Sequence, residues 1–472
     1  MEGPGDLEFK QETQLSSNPG DYGSLPKDGV ISTRNLEQDT SRLAMDTLMP
    51  AESSYVLFFQ VLFPFMIAGF GMVLAGIVLD VVQHWDLFQQ VPEAFILVPA
   101  LLGLKGNLEM TLASRLSTQA NMGRMDSKEQ LVTVVISNIA LIQVQAIVVT
   151  FLASGFAMVL AWIPRGEVDW GHASLLCASS LTTASLASFI LSGIMIIVVL
   201  VSRKYNVNPD NIATPIAASL GDLTTLTVLA SFGSMFLHAH LMDSWMNVMV
   251  ILAFVLVIPI WGIAACRDGC TRSVLENGWS PIVFSMLLSS GGGFVLEKAM
   301  KNFKQMALFQ PVINGVGGNL AAVHASRLST FFHKNADPGL LPNGWTIRRF
   351  GAFKRAFLSS DWDARSARVL LFLVVPGHII FNWLIALLHT GENPPSSALF
   401  TSLYLTAALI QVTVLLFICQ WLVALMWACR VDPDNAAIPY LTALGDLIGT
   451  SLLYMAFSFL HFVHDDEIIK TT

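Results

Sequence analysis

The sequence predicts an all-α integral membrane protein with eleven transmembrane helices, arranged as two parallel five-helix repeats joined by one linking helix. Three observations predict this fold class: the composition, the length of the apolar runs and an internal duplication. Of the 472 residues, 54% are hydrophobic and only 13% are charged, whereas soluble domains carry about 25% charged residues. The composition therefore excludes an ordinary soluble protein.

The apolar residues fall into runs of about 20, the length that crosses a ~30 Å hydrocarbon core as a helix. These runs lack strand-like alternation, so we expect helices rather than a barrel to satisfy the backbone. The eleven runs are 55–80, 94–113, 129–162, 174–202, 212–237, 245–265, 279–297, 307–325, 368–389, 397–429 and 437–461.

The first 54 residues are acidic and rich in Gly, Ser and Asp, without hydrophobic periodicity, which predicts a disordered tail. They contain no apolar signal-peptide core and are not Arg-rich, so neither a signal peptide nor a transit peptide is expected. This favours the plasma membrane, with the mitochondrial inner membrane as the alternative. The cysteines number five, an odd count, and are expected to be reduced.

Lys and Arg are concentrated in the loops that share a side with the N-terminal tail, including Arg115, Arg203 and Arg348. By the positive-inside rule, that side is the cytoplasm. The outer loop at 297–306 departs from the rule with three lysines. Eleven spans then place the C-terminal tail outside the cell.

The duplication consists of three blocks that recur in the same order. GNLEMTLASRLST at 106–118 matches GNLAAVHASRLST at 318–330, and PDNIATPIAASLGDL at 209–223 matches PDNAAIPYLTALGDL at 433–447. In the third block, Pro64, Gly76 and Asp80 correspond to Pro281, Gly293 and Glu297.

The duplication predicts the domain organisation. A cytoplasmic tail at 1–54 precedes a first repeat at 55–238, a linking helix at 239–272, a second repeat at 273–461 and a tail at 462–472. The second repeat contains a cytoplasmic loop at 326–367. Because one extra crossing separates two odd-numbered units, both units face the same way, and a site on their shared axis would draw equivalent residues from each. The alternative is that the matched small residues only allow close helix packing.

Two aspartates are the strongest candidates for an ion site. Asp222 and Asp446 each lie about a dozen residues after a Pro-Asp-Asn start, which places them near the middle of the membrane at 1.5 Å per residue. A carboxylate at that depth costs several kcal/mol unless it meets water, a partner or a cation. Two such groups on one axis repel each other, so a divalent cation between them is the expected compensation. The alternative is an aspartate buried between helices in a protonated or hydrogen-bonded form.

Nearby residues add oxygen ligands. The hydroxyls of Thr225, Thr442 and Thr450 lie close in sequence, and Pro215 and Pro439 interrupt the helical ladder so that carbonyl oxygens become free. These are all hard oxygen donors, which suit magnesium or calcium better than zinc or copper. Because magnesium dehydrates reluctantly, two aspartates in a polar path favour a largely hydrated Mg²⁺.

The repeated Gly-Asn pairs form a second candidate element of the pathway, at Gly106-Asn107 and Gly318-Asn319. The asparagine amides are expected to face the conduit. The two halves differ at Lys105 and Glu109, which are spaced to pair on one helix face. This difference indicates functional asymmetry or, alternatively, a lysine that reaches for the membrane interface.

The blocks GLKGNLEMTLASRLST and GVGGNLAAVHASRLST and the two PDN…GDL blocks resemble solute carrier family 41, the animal relatives of the bacterial MgtE magnesium transporters. The resemblance extends from about residue 55 to 460. It implies magnesium transport, a sodium-coupled efflux mode, and a pore aspartate at Asp222 and Asp446. The 54-residue tail is too short for the cytoplasmic N and CBS domains by which MgtE senses magnesium, so regulation by that route is not expected.

Three alternatives remain open from the sequence. A channel or uniporter of the same fold would use the same residues, because nothing in their spacing separates it from an exchanger. An intramembrane aspartyl protease is suggested by SLGD and ALGD, although both lack the first Gly of the G-x-G-D motif. A scaffold or ion sensor would bind the ion without transporting it. The prediction is a transporter and not an enzyme, with Mg²⁺ as the transported ion and Na⁺ as the coupling ion.

Overall fold

The computed structural model describes residues 54–121, 125, 127–166, 169–204, 209–242, 245–341, 352–389, 394–395 and 397–463. The N-terminal tail, for which we predicted disorder, lies outside these residues. So does the end of the C-terminal tail, for which we predicted an extracellular position. All regular secondary structure in the described part of the chain is helical.

In the described part of the chain, each of the eleven apolar runs corresponds to one long helix, and three short helices lie between them. In chain order the helices are α1 (Ser54–Val82), α2 (Asp86–Gln90), α3 (Ala94–Asn121), α4 (Lys128–Arg165), α5 (Trp170–Lys204), α6 (Pro209–Leu241), α7 (Met246–Ala265), α8 (Gly269–Asn277), α9 (Trp279–Asn302), α10 (Met306–Asn335), α11 (Phe353–Leu358), α12 (Trp362–Leu388), α13 (Ala398–Ala428) and α14 (Pro433–Phe462).

Among the described residues, ten helices are long and apolar enough to cross a membrane. The remaining long helix is α10, whose 30 residues include Gln310, Asn314 and His324. Those three side chains are buried within the protein. The helix therefore owes its low hydropathy to polar groups that face its neighbours rather than lipid.

The helices that carry the duplicated blocks pack in corresponding ways. The first set consists of α1, α3, α4, α5 and α6, and the second set consists of α9, α10, α12, α13 and α14. In each set the last helix packs against the first, second and fourth: α6 packs on α1, α3 and α5, and α14 packs on α9, α10 and α13. The first helix of each set also packs against the other set: α1 on α10 and α12, and α9 on α3 and α4. Each set thus contributes one helix to the packing of the other.

Two glycines allow these crossings at the closest approach. A Cβ atom at Gly76 of α1 would overlap the backbone carbonyl of Leu308 on α10. A Cβ atom at Gly293 of α9 would overlap the carbonyl of Ile96 on α3. Gly76 and Gly293 correspond in the duplication, and Ile96 and Leu308 are related by the same offset as Gly103 and Gly315. The two contacts are therefore equivalent, and small residues permit both.

Helix α7 lies at the edge of the bundle. It packs on α4 and α5. Only 6% of its apolar stretch is buried inside the protein. Large side chains such as Leu256 and Ile263 are exposed. Such a surface suits contact with lipid, as expected for a helix that links two units without entering either core.

The segment predicted as the cytoplasmic loop 326–367 is largely helical in the described residues. Helix α10 continues to Asn335, α12 starts at Trp362, and residues 342–351 lie outside the described part. Between them, the short helix α11 packs against the protein: Arg355 contacts the fully buried Asp363 with an N–O distance of 2.6 Å. Its next residue, Ala356, accepts a hydrogen bond from Gln420 through its backbone carbonyl.

We expect Arg355→Ala to destabilise the protein by about 3–5 kcal/mol, because it leaves the buried Asp363 carboxylate without its cation. A fall in the melting temperature of the purified protein measures this loss. Arg272→Ala is the matched control, since its salt bridge with Glu276 is exposed and should change little. Equal melting temperatures for the two variants would contradict the prediction, and adding Asp363→Ala to the first should restore part of the loss.

Candidate functional site

The two candidate aspartates lie at equivalent positions in the last helix of each set. Helix α6 begins at Pro209 and α14 at Pro433, so each Pro-Asp-Asn motif begins a helix. Asp222 and Asp446 are both half-buried. Both helices pack against α3. The two aspartates therefore lie on helices that share α3 as a neighbour.

Asp446 lies where the two sets of helices meet. Its Oδ2 accepts a hydrogen bond of 2.8 Å from the Ser289 hydroxyl on α9. A Cβ atom at Gly103 of α3 would lie 2.9 Å from the same carboxylate oxygen. The carboxylate is thus held between α14, α9 and α3, and Gly103 leaves the space that it occupies.

Asn107 connects the second helix of the first set to the last helix of the second. Its Oδ1 accepts a hydrogen bond of 2.9 Å from the Thr442 hydroxyl on α14, and its Nδ2 donates to Ser285 on α9 at 3.4 Å. Asn107 and Ser285 are both buried. Thr442 is one turn before Asp446 on α14, so this polar chain lies on the same face of the helix as the carboxylate.

The surroundings of Asp222 differ from those of Asp446. The residue that corresponds to Ser289 is Met72, which lies against Gly315 as Ser289 lies against Gly103. A different carboxylate approaches from α3: Glu109 Oε2 lies 3.6 Å from the position that a Cβ atom at Gly221 would take. Glu109 is fully buried. The two halves therefore surround equivalent aspartates with different groups.

The other predicted residues contact their own helix or a neighbouring one. Thr225 is buried and donates its hydroxyl to the Gly221 carbonyl of its own helix, and Thr450 is buried and accepts from Asn314. Gly318 lies against Thr442, and Asn319 is half-buried one residue further.

Helix α14 continues through Pro439. Gly106 has no atom within 4 Å of the position of a Cβ. The side chains of Lys105 and Pro215 lie outside the described residues, so the predicted pairing of Lys105 with Glu109 stays a prediction.

Sequence reasoning missed four polar residues that the fold brings to this region: Ser285 and Ser289 on α9, Asn314 on α10 and Gln411 on α13. Ser285, Ser289 and Asn314 have Ala68, Met72 and Leu102 at the corresponding positions of the first half. A comparison that looks for identical residues in the two halves does not find residues that differ between them. The signal that could have found these four is that they are polar residues inside apolar runs.

The chemistry of the region is that of hard oxygen ligands. Carboxylate, hydroxyl and amide oxygens converge near Asp446, and no group of three or more His, Cys, Asp or Glu in the described part of the chain could hold a metal ion. Oxygen donors of this kind suit Mg²⁺ and Ca²⁺ rather than softer metals. The five cysteines form no disulfide in this structure, and their reduced state stays a prediction.

A family model described as MgtE, divalent cation transporter, matches the chain twice, at residues 98–232 and 310–456. Solute carrier family 41 member 2 of Xenopus laevis is 48% identical over 420 residues, which cover 88% of this chain and 74% of that protein. The chain belongs to the MgtE-like solute carrier family 41. The human member 2 is 47% identical over a stretch that covers 89% of this chain and 73% of that protein. Member 3 of Mus musculus is 45% identical over a stretch that covers 93% of this chain and 90% of that protein. No solved structure gives a significant match.

Membership in this family decides between the classes of function that the sequence left open. The chain is a multi-pass membrane protein and a divalent cation transporter, and it is not an enzyme. The hypothesis of an intramembrane aspartyl protease is therefore wrong.

Proposed function

We propose that this member of solute carrier family 41 transports Mg²⁺ through a central site built from Asp222 and Asp446, one from each repeat. The observation that carries the proposal is the position of Asp446, whose carboxylate contacts helices of both sets. A second carboxylate, Asp222, has the equivalent position on α6, and α6 and α14 both pack against α3. A divalent cation between the two would relieve their repulsion.

The proposed architecture has a first repeat at 55–238, a linking helix at 239–272 and a second repeat at 273–461, with eleven spans and both repeats in the same orientation. The equivalent contacts of Gly76 and Gly293 support it, as do the two matches to the family model. A pseudo-two-fold axis relates such repeats, and transporters bind their ions near it. A single chain then supplies both halves of the pathway.

The polar chain from Ser285 through Asn107 to Thr442 provides the neutral oxygens of the proposed pathway on the side of Asp446. Mg²⁺ keeps several of its waters in proteins, so few direct ligands suffice. In the other half, Asn319 occupies the equivalent position and Glu109 adds a buried carboxylate. These residues are proposed to line the route rather than to bind the ion permanently.

We further propose sodium-coupled efflux at the plasma membrane, with the N-terminus in the cytoplasm and the C-terminus outside. The difference between the two halves supports an exchanger, because a second ion needs a site of its own. A channel of the same fold is the second candidate, supported by the symmetry of Asp222 and Asp446. A channel would conduct Mg²⁺ without a sodium gradient.

Purified protein in liposomes loaded with a magnesium-sensitive dye tests the proposal. Wild-type protein should carry Mg²⁺ across the membrane, and an opposing sodium gradient should accelerate that flux. Equal flux with and without the gradient would favour the channel. An absence of Mg²⁺ flux from correctly folded protein would overturn the proposed function.

Ser289→Ala should weaken Mg²⁺ transport without abolishing it. The change removes the hydroxyl that orients the Asp446 carboxylate, and a hydrogen bond to a charged group contributes about 1.5–3 kcal/mol. Screening by the hydrated ion reduces this, so we expect the Mg²⁺ concentration for half-maximal flux to rise about tenfold. Ser458→Ala, which removes a hydroxyl that donates to the Tyr454 carbonyl of its own helix near the end of α14, is the control. Equal affinity in both variants would contradict a role for Ser289.

A further inference from the structure

A groove with apolar walls runs along the surface of the helix bundle between α12 and α13. Its volume is about 590 Å³, within the range of pockets that hold small ligands. The walls are formed by Leu371, Phe372, Val375, Pro376 and Ile379 of α12 and Leu409 of α13. None of these side chains is polar, so the groove suits a hydrocarbon chain.

The groove is about as long as one leaflet of a bilayer is thick. Its residues on α12 recur every three or four positions from Arg368 to Ile379, so they share one face of the helix. At 1.5 Å per residue this face is about 16 Å long, and half of the ~30 Å hydrocarbon core is about 15 Å. Phe372 and Ile379 are exposed, so the groove is open to the surrounding lipid.

Arg368 places a positive charge at one end of the groove. The residue is exposed, and its Nη1 donates hydrogen bonds of 2.7 Å to the carbonyl oxygens of Phe357 and Ser359 at the end of α11. Both acceptors are neutral. They fix the position of the guanidinium group and leave its charge unbalanced.

No acidic side chain in the part of the chain that the structure describes pairs with Arg368. The acidic residues nearest in sequence, Asp361 and Asp363, contact Arg355 instead. Arg365 lies one turn before Arg368 and contacts another neutral group, the Ser360 carbonyl, at 3.5 Å. A guanidinium group presents several N–H donors in a plane that matches a phosphate. The end of the groove therefore suits an anionic phosphate group.

Helix α11 indicates the depth of Arg368 in the membrane. Phe353 and Leu358 of this helix are exposed beside the exposed Lys354. Exposed apolar and basic side chains on one short segment suit the boundary between headgroups and acyl chains. Because Arg368 is bonded to the end of α11, its guanidinium group lies at the level of the headgroups. In the proposed orientation this is the cytoplasmic side, where the leaflet contains anionic lipids.

We propose that this groove binds an anionic phospholipid of the inner leaflet. One acyl chain lies along α12 in the groove, and Arg368 binds the phosphate with help from Arg365. A zwitterionic phospholipid has the same chains but balances its phosphate with a cation of its own, so it binds less tightly. The inference concerns a lipid partner and does not depend on which ion the protein transports.

Native mass spectrometry of the purified full-length protein in detergent tests the site, with phosphatidylserine and phosphatidylcholine that carry identical acyl chains. The wild type should retain one phosphatidylserine at about tenfold lower lipid concentration than phosphatidylcholine, because basic residues near the headgroups attract anionic lipid. Glycerophosphoserine, which has the headgroup without the chains, should not compete. Equal retention of the two lipids, or full competition by glycerophosphoserine, would overturn the proposal.

Arg368→Gln removes the charge and should reduce the preference for phosphatidylserine about fivefold. Arg267→Gln changes an exposed arginine after α7, on the same predicted side, and should keep the preference. Val375→Trp fills the groove without a change of charge and should weaken retention of both lipids. Unchanged retention in Val375→Trp, or the same loss of preference in Arg267→Gln, would overturn the site.

Arg368→Lys separates lipid binding from a structural role of Arg368 at the end of α11. Lysine keeps the charge but loses the planar pair of hydrogen bonds. It should therefore keep more of the preference for phosphatidylserine than Arg368→Gln does. Equal loss in the two variants would show that the residue only holds α11 in place, and would contradict the proposed contact with the phosphate. Melting temperatures measured without added lipid show whether each variant is folded, and Val375→Trp tests the groove even if the variants of Arg368 are not.

Discussion

Asp222→Asn and Asp446→Asn should each reduce Mg²⁺ flux by on the order of 100-fold. Asparagine keeps the size of the side chain and removes the negative charge, so the protein should fold while the site loses half of its charge. The attraction between Mg²⁺ and one carboxylate is worth several kcal/mol in a partly buried site, and about 2.8 kcal/mol corresponds to 100-fold. Flux into liposomes, normalised to the amount of monodisperse protein, measures the effect.

Asp169→Asn is the matched control for these changes. Asp169 is exposed before α5 and accepts hydrogen bonds from the backbone N–H groups of Gly171 and His172. The bond from His172 is the main reason that the pKa of this carboxyl is lowered. Asparagine also caps helices well, so flux should be unchanged. Full activity in both Asp222→Asn and Asp446→Asn would remove the central site from the mechanism.

Gly76→Ala and Gly293→Ala should each destabilise the protein strongly. In both cases the new Cβ atom would overlap a backbone carbonyl of the other set, that of Leu308 or of Ile96. Backbone atoms cannot rotate away as a side chain can, so the helices must separate. Overpacking typically costs about 1–3 kcal/mol, and sometimes more, and we expect the upper end of this range. A lower melting temperature and a smaller monodisperse fraction measure the loss.

Gly155→Ala controls for the change of residue type, because no atom lies within 4 Å of a Cβ at this exposed position of α4. It should match the wild type or slightly exceed its stability, since alanine favours a helix over glycine. Similar effects of Gly76→Ala and Gly293→Ala would agree with equivalent crossings in two related repeats. Wild-type stability of both would show that α1 and α9 do not touch the backbone of the other set at these glycines.

The helices themselves were predictable because the signals for them are local. A run of about 20 apolar residues requires a helix in lipid, since no other backbone conformation satisfies its own hydrogen bonds there. Each of the eleven runs became one helix, although α10 extends ten residues beyond its predicted end at 325, to Asn335. That extension carries Phe331 and Phe332 into the core, where burial against other helices replaces hydropathy as the reason for helix formation.

The candidate site was predictable only in part. Asp222 and Asp446 are conspicuous because a carboxylate within an apolar run is costly, and Asn107 stands out because its block is repeated. Ser289 has neither property: serine is common in membrane helices, and its counterpart is Met72. Its importance comes from its contact with Asp446, which is 157 residues away in the chain.

The sequence by itself determined that this protein is a helical membrane protein of duplicated origin with two aspartates at equivalent depth, because hydropathy and repetition are properties of the chain alone. Only the tertiary structure decided which groups surround those aspartates. Helices far apart in sequence meet through glycines such as Gly103 and Gly317, and the side chains that enter there differ between the halves. The physical reason is that packing depends on the shapes of both partners, whereas the tendency to enter the membrane depends on one segment at a time.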